Sequence, residues 1–529
     1  MNVRVCALAL LAALLLTATA QAHPERPTKF PDPNGATVPE VRTSGPVLVV
    51  CNAGSGTAIK KVFKGKGRKT TKLRRQRLAL LKKCRFKHIQ AAVDAAKTGD
   101  RIQILPGTYR EEPSREVRHN DPGCGALRDP GDGHGAYALY AFHLKCPTSR
   151  NLIFIGGDSN DDGTCDAKCR LQMEGMGKKP TDVRIIGDRV KEDVIRADRA
   201  DGFVLRNVSV EQGAFNGVDV VETNGFRLEH LEAVYNQNYG VLTFTSDNGL
   251  YDTIEAYGNG DSGVYPGSGP ERHCQSYGIE IRNVDSHDNV LGYSGTAGNG
   301  TWVHDSKFHH NSAGISDDSF ASGHPGMPQD CSKWEDNEVY SNNVNFFTTE
   351  LQQHCAATPF EKLEREEVCP QFQVPVGAGF ILYGVNDNII RRNRVWDNWR
   401  SGVRLFWVPG VIRGETSPEA QFDTSNGNRF IANTFGKDRD GRPAPNGVDV
   451  FWDEQGMGNC WDGNVGLAPG GGITSDPATL SGCPGSLFKR PVNAIKAAAE
   501  IPCASWNPRT NQHPVGCVWF DTPKRPTRR

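Results

Sequence analysis

Between about Asp201 and Trp407 the apolar residues fall in short alternating runs, without the three-and-four spacing of a helix. Each run follows a polar turn that contains Asn and, three or four residues on, Gly. The phrases Ala233-Val-Tyr-Asn236-Gln-Asn-Tyr-Gly240-Val, Ala256-Tyr-Gly-Asn259-Gly-Asp-Ser-Gly263-Val and Ser286-His-Asp-Asn289-Val-Leu-Gly292-Tyr share this form. So do Phe308-His-His-Asn311-Ser-Ala-Gly314-Ile and Val395-Trp-Asp-Asn398-Trp-Arg-Ser-Gly402-Val. The pattern predicts two or three short strands per unit, bounded by Asn, Gly and Asp. Insertions aside, the unit recurs about every 22 to 24 residues, a step that marks a solenoid. The fold class expected is all-β, a parallel β-helix in which each strand pairs one coil along, about 4.8 Å away. Asn236, Asn259, Asn289, Asn311, Asn342 and Asn398 then stand in one column. There each amide can bond the next and the bent backbone that has lost its ladder partners, so these residues read as scaffold.

Upstream the spacing changes. Ile89, Ala92, Val93 and Ala96 keep a helical period, which Gly99 ends. Residues 1–22 read as an export leader: Arg4, an apolar run at Ala7–Leu16 and the small-residue site Ala20-Gln21-Ala22. No later segment holds 18 apolar residues, so no membrane anchor is expected and the chain reads as secreted. The divisions expected are the leader, an extension at 23–46, and a coiled domain at 47–465 with insertions at 59–88, 119–180 and 351–376. A disulfide-stapled cap with a basic tail follows at 466–529.

Composition supports a thin core with many turns: 58 Gly, 5 Met and 37% hydrophobic residues. Of the 15 Cys only Cys6 lies in the leader, and the even remainder favours disulfides in an exported protein. Nearest-neighbour pairing gives Cys51–Cys84, Cys124–Cys146, Cys165–Cys169, Cys274–Cys331, Cys355–Cys369, Cys460–Cys483 and Cys503–Cys517. Zinc is the alternative for Cys165 and Cys169, although no second close pair accompanies them. The formal charge of zero hides an asymmetry. Residues 59–88 hold 14 Lys or Arg and no acid, and without them and Arg4 the chain has 46 basic against 61 acidic residues. That segment is either a solvated insertion or an arm for an anionic polymer. The absence of a recognisable nucleic-acid-binding motif in an exported chain argues against nucleic acid.

Val47-Leu-Val-Val50, the helix from Ile89 and the run Gly99-Asp-Arg-Ile-Gln-Ile-Leu-Pro-Gly-Thr-Tyr109-Arg-Glu resemble a known N-terminal entry. It is that of bacterial extracellular right-handed parallel β-helix proteins, the pectate lyase-like superfamily of lyases, esterases, polygalacturonases and alginate epimerases. The resemblance covers about residues 47–110 and 180–465. It implies a right-handed, single-stranded solenoid with a capping helix over the first coil and loops inserted between coils. It also implies extended sugar chains bound along one outer face.

Lining up the strand after each Gly gives Val218-Asp219, Val241-Leu242, Val264-Tyr265, Tyr293-Ser294, Ile315-Ser316 and Phe346-Phe347. Phe380-Ile381, Val403-Arg404 and Val448-Asp449 continue the series. The first member points in, so the second and fourth point out. This sets Asp318 and Glu350 on adjacent coils as an acid and base pair, with Asp317 the candidate if the register slips by one. His324 arrives on a loop, and Arg404 and Asp219 lie on the same face. Tyr265, Tyr383, Phe406 and Trp407 offer flat surfaces to sugar rings, as Phe451 and Trp452 would. The plainer alternative is that the inserted loops cover these rings. His287 and His309 share a second column with Tyr257, Tyr340 and Trp396, which reads as ring stacking before it reads as a shared metal.

Asp158, Asn160, Asp162 and Asp166 set oxygens at alternate positions around Gly163, as in the first half of a calcium loop. The twelfth position is Cys169 rather than Glu, so the comparison is with a thrombospondin-like turn and a structural calcium, or with an ordinary acidic turn. The departures from the family's enzymes are equally specific. The chain has no Asp-Pro-His-Asp run, no complete polygalacturonase set and no lyase base motif on this face. The expected function is therefore stated as a class. It is a secreted monomer that binds an extracellular polysaccharide, acidic or neutral, and cleaves or modifies it, or else a non-catalytic polymer-binding protein.

Overall fold

The computed structural model describes residues 29–32, 36–115, 140–320, 324–500, 502–503, 506 and 513–527. The leader at 1–22, residues 23–28 and 33–35 of the 23–46 extension, and Cys124 lie outside the described residues. Every strand pairing between the described coils is parallel, and each coil contributes strands to three faces. The first face begins with Val47–Val50, Arg101–Ile104 and Gln172–Gly175, and the second with Gly107–Tyr109 and Val183–Ile186. Phe203–Glu211, Asn224–Val234 and Asp247–Tyr257 run through both. The third face stacks eleven strands from Asn151–Gly156 to Ser475–Asp476. The chain is a right-handed parallel β-helix.

Alternation fixes what lies inside. On the third face Ile195, Val218, Val241, Val264, Tyr293, Ile315, Phe380 and Val403 stack in register and belong to one buried core. Two registers differ from the sequence expectation. Val403 pairs with Val450, not Val448, because Asn446 forms the turn's rung and starts the strand later. Trp452 consequently points into the core. The Phe346-Phe347 pair is not a strand. The chain leaves the coil just after Asn342, and the missing strand is supplied by Ala378–Tyr383 beyond the insertion.

The corners carry the asparagines. In the expected column each Nδ2 donates to the next Oδ1: Asn236 to Asn259 at 2.9 Å, Asn259 to Asn289 at 2.8 Å, Asn289 to Asn311 at 3.2 Å. The chain continues through Asn342 and Asn398 to Asn446, at 3.0, 3.0 and 3.3 Å. Two further ladders occupy the other corners. One runs Asn337, Asn393, Asn433, Asn464, and the other includes Asn388, Asn428 and Asn459. The left-handed residues that bend each corner sit beside these rungs, Tyr235, Asp288, His310, Ser341 and Asp397 among them. Buried amides thus satisfy the backbone where the sheet bonds stop.

The helix Ile89–Ala95 packs on the first coil, with Ile89, Ala92, Val93 and Ala96 in the core. Its Gln90 amide bonds both polar atoms of Phe154, accepting at 2.7 Å and donating at 3.2 Å, and so occupies the edge of the first third-face strand. Glu111 accepts the helix's first two N–H groups at 2.6 and 2.9 Å. Six of the expected disulfides are formed, and Cys146 is also disulfide-bonded, its expected partner Cys124 lying outside the described residues. No described helix is long and apolar enough to cross a membrane.

Candidate functional site

The outward residues of the third face form two rows. One reads Arg196, Asp219, Leu242, Tyr265, then Ser294, Ser316, Ile381, Arg404, and the other includes Thr296, Asp318, Tyr383 and Phe406. A pocket of about 300 Å³, counting its open mouth, stands over their C-terminal half. Ser316, Asp318, Ile381 and Tyr383 form its floor. Phe320 and the loop Phe372-Gln373-Val374-Pro375 form one wall, and Trp519 from the C-terminal segment the other.

Asp318 is the chemical group in this pocket. It is 2% exposed, and its Oδ1 accepts from Thr296 Oγ1 at 2.9 Å and Phe320 N at 3.0 Å, its Oδ2 from Ser316 Oγ at 3.2 Å. Burial raises its pKa above the usual carboxylate range, and these three donors offset only part of that. Among the described residues no cation bonds it, so the protonated form is favoured relative to an ordinary Asp.

Its coil neighbour is not Glu350. Asp318 pairs with Tyr383, and Glu350 sits exposed in the first turn of the helix Thr349–Ala357. The insertion that begins after Asn342 turns that segment into a helix, so the expected carboxylate pair is not assembled. Asp317, the one-residue alternative, points inward opposite Gly295 and Leu382. It is fully buried, and neither oxygen has a hydrogen-bond partner of ordinary geometry. Burial raises its pKa far above the normal range, with Asp318 adding to the effect. A folded-state pKa above the unfolded one gives stability at low pH that is lost as pH rises toward the folded value. Asp317→Asn is therefore expected to raise the melting temperature by a few kelvin at pH 8 and to change it little at pH 4. Thermal melts at both values check this.

Arg404 is on the expected face but already has a carboxylate. Its Nη2 lies 2.5 Å from Glu500 Oε1, at the end of the helix Ala494–Glu500, and its Nε 3.3 Å from Tyr383 Oη. Burial works against the Arg404 charge, but Glu500 and Tyr383 outweigh it and the pKa is raised. Trp519 Nε1 donates to the other Glu500 oxygen at 2.5 Å, which ties the pocket wall to this pair. Phe406 is buried edge-on to Tyr383, with ring centres 5.2 Å apart. Trp407 leaves the face: its Nε1 donates to Gln421 O at 2.8 Å and its ring stacks on Phe422.

Toward the N-terminal coils the face is occupied by the protein itself. Asp219 lies 2.5 Å from Arg196 one coil back. Tyr265 is buried and stacked on Tyr239 at 4.6 Å. His324 Nε2 is 3.4 Å from Tyr265 Oη, and its ring stands edge-on to Phe244. Among the described residues the outward side chains of these coils thus contact one another, and the Asp318 pocket lies farther along the face. Sequence reasoning missed Gln373, Trp519 and Glu500. The signal available was the apolar run Val518-Trp519-Phe520 after Cys517, in an otherwise polar tail.

The second column is a stack of rings. Tyr257, His287, His309, Tyr340 and Trp396 follow one another at 5.2, 5.2, 4.7 and 4.3 Å, nearly coplanar at each step. At the acidic turn Asp158 is buried, and its oxygens accept from the N–H groups of Asn160, Asp161 and Gly163 at 3.1, 2.8 and 2.7 Å. Arg199 lies 2.9 Å away. Asp166 binds Ser159, Asp162 accepts from Asn160 and Thr164, and no metal-binding group of three is found among the described residues. A calcium ion bound through Asp158 Oδ2 would compete with Arg199. Chelation is accordingly expected to leave the melting temperature unchanged, whereas Arg199→Ala lowers it by a few kelvin; calorimetry with and without EDTA decides.

No protein-family model matches the chain, and no curated protein matches its sequence. Solved structures similar to it include the A-module of the mannuronan C-5 epimerase AlgE4 of Azotobacter vinelandii. That match has 12% identity and a TM-score of 0.39 over 75% of this chain and 93% of that one. An alginate lyase from Paenibacillus sp. str. FPU-7 matches at 11% identity and TM-score 0.34, over 73% and 94%. The catalytic unit of the GH87 α-1,3-glucanase from Streptomyces thermodiastaticus strain HF3-3 matches at 9% and 0.38, over 83% and 69%. Likeness at this level says nothing of what the present chain does.

Proposed function

We propose that this protein is exported, binds an extracellular polysaccharide in the pocket on the third face, and cleaves or modifies it with Asp318 as proton donor. The observation that carries the reading is the Asp318 carboxyl itself. It is held by three donors in a pocket with aromatic walls, with its pKa raised by burial. A carboxyl whose protonated form is favoured by burial can protonate a departing glycosidic oxygen. Phe372, Tyr383 and Trp519 suit the flat faces of sugar rings, and Ser316 and Gln373 suit their hydroxyls. Six formed disulfides fit an oxidising, extracellular setting. An acidic sugar would find the Arg404 guanidinium through Glu500, whose carboxylate it would replace.

A second reading is favoured by one observation: Asp318 is the only carboxylate lining the pocket among the described residues. Glycoside hydrolysis ordinarily uses two. A non-catalytic protein that holds the polymer in the same pocket needs only one. The test incubates the full chain with pectate, alginate, glucuronan and a neutral glucan. Reducing ends, the ultraviolet absorbance of unsaturated uronates and polymer binding are all measured. Product from any polymer supports catalysis, and saturable binding without product supports the second reading. Neither product nor binding overturns both.

A further inference from the structure

We propose that the basic hairpin of residues 51–84 is an electrostatic anchor that holds an acidic polysaccharide at the N-terminal end of the β-helix, independently of the Asp318 pocket.

The segment folds into two helices, Ser55–Val62 and Arg68–Leu81, packed together and closed at the base by the Cys51–Cys84 disulfide. Its apolar side is committed. Ile59 and Phe63 are buried with Leu105 and Met176 of the first coils, and Leu73, Leu78 and Leu80 pack beside them. What remains outward is almost entirely cationic. Twelve of the 14 Lys and Arg residues between 59 and 88 are exposed, nine of them Lys. None forms an ion pair among the described residues. Elsewhere on the molecule arginines are matched, as in Arg184 with Glu211, Arg282 with Asp252 and Arg391 with Glu335. A tethered, ordered surface of unmatched positive charge attracts polyanions.

The charge type narrows the partner. Lysine presents a compact charge on a flexible stem and tolerates a repeating anion of loose geometry, whereas bidentate recognition would favour arginine. The hairpin's aromatic ring, Phe63, is 1% exposed, so it offers no platform on which nucleobases could stack. A polymer bearing a carboxylate on successive sugars supplies the matching charge without needing that platform.

The test uses the full chain and polygalacturonate, with affinity measured by calorimetry across a salt series. The variant replaces Lys60, Lys64, Lys66, Lys69, Lys72 and Arg75 with Gln, all exposed positions. Its affinity at low salt is expected to fall at least ~10-fold, with a shallower dependence of log affinity on log salt. Its melting temperature and its action on a short oligosaccharide should not change. Asp318→Ala should keep the salt-dependent binding, which separates failure of the anchor from failure of the pocket. Unchanged affinity in the variant would overturn the proposal. So would tighter binding to duplex DNA than to polygalacturonate, or charge-dependent self-association in place of polymer binding.

Discussion

Replacing Asn311 with leucine is expected to lower the unfolding free energy by about 3–5 kcal/mol, on the scale for burying unpaired polar groups. Leucine has a similar volume, so little of the loss would come from packing. Asn311 Oδ1 accepts from the backbone and amide of Asn289 at 2.9 and 3.2 Å, and its Nδ2 donates to Ser286 O and Asn342 Oδ1 at 3.2 and 3.0 Å. Removing the amide strands a backbone N–H, a backbone carbonyl and two neighbouring amides, all away from water. Three ladders of this kind hold three corners, and a central rung has neighbours on both sides. Asn464→Leu makes the useful contrast, because Asn464 ends its ladder and is half-buried. Its cost should be less than half as large. Denaturant titration of the two variants, or their melting temperatures where unfolding is irreversible, checks the ordering.

The second large effect concerns chemistry. If Asp318 delivers a proton, Asp318→Asn is expected to slow product formation by about 100- to 10,000-fold while leaving polymer affinity within about threefold. The pH dependence has a definite sign. The protonated acid is the working form and its pKa is raised, so the rate holds through acidic pH and declines as pH rises through that raised value. Glu350→Ala, by contrast, should leave the rate unchanged, since that side chain is exposed on a helix outside the pocket. The pair of variants separates the pocket from the two-carboxylate site that strand counting alone would give.

That contrast shows where local pattern stops being informative. The Asn column, the inward apolar series from Val218 to Ile315 and the capping helix follow from residue spacing, because each is set by neighbours a fixed step away. The registers of Glu350 and of Val448 could not be read so. Glu350 lies in the stretch that leaves the coil after Asn342, and Val448 follows a lengthened turn, the successive rungs being 56 residues apart from Asn342 to Asn398 and 48 from Asn398 to Asn446. The pocket wall was less legible still. Trp519 and Glu500 come from the far end of the chain, and nothing periodic in residues 494–520 says which coil they meet. Asp317 and Asp318 differ by one residue, yet one faces the core and the other the pocket. Only the pairing of both with Leu382 and Tyr383 separates them.

Whether the third face takes sugar at this pocket is best settled by a crystal structure with an acidic oligosaccharide soaked to saturation. The expected result is a sugar ring between Phe372 and Trp519 with a glycosidic oxygen within hydrogen-bond reach of Asp318. Sugar bound only at the hairpin of residues 51–84, or an empty pocket beside a bound polymer elsewhere, would contradict it.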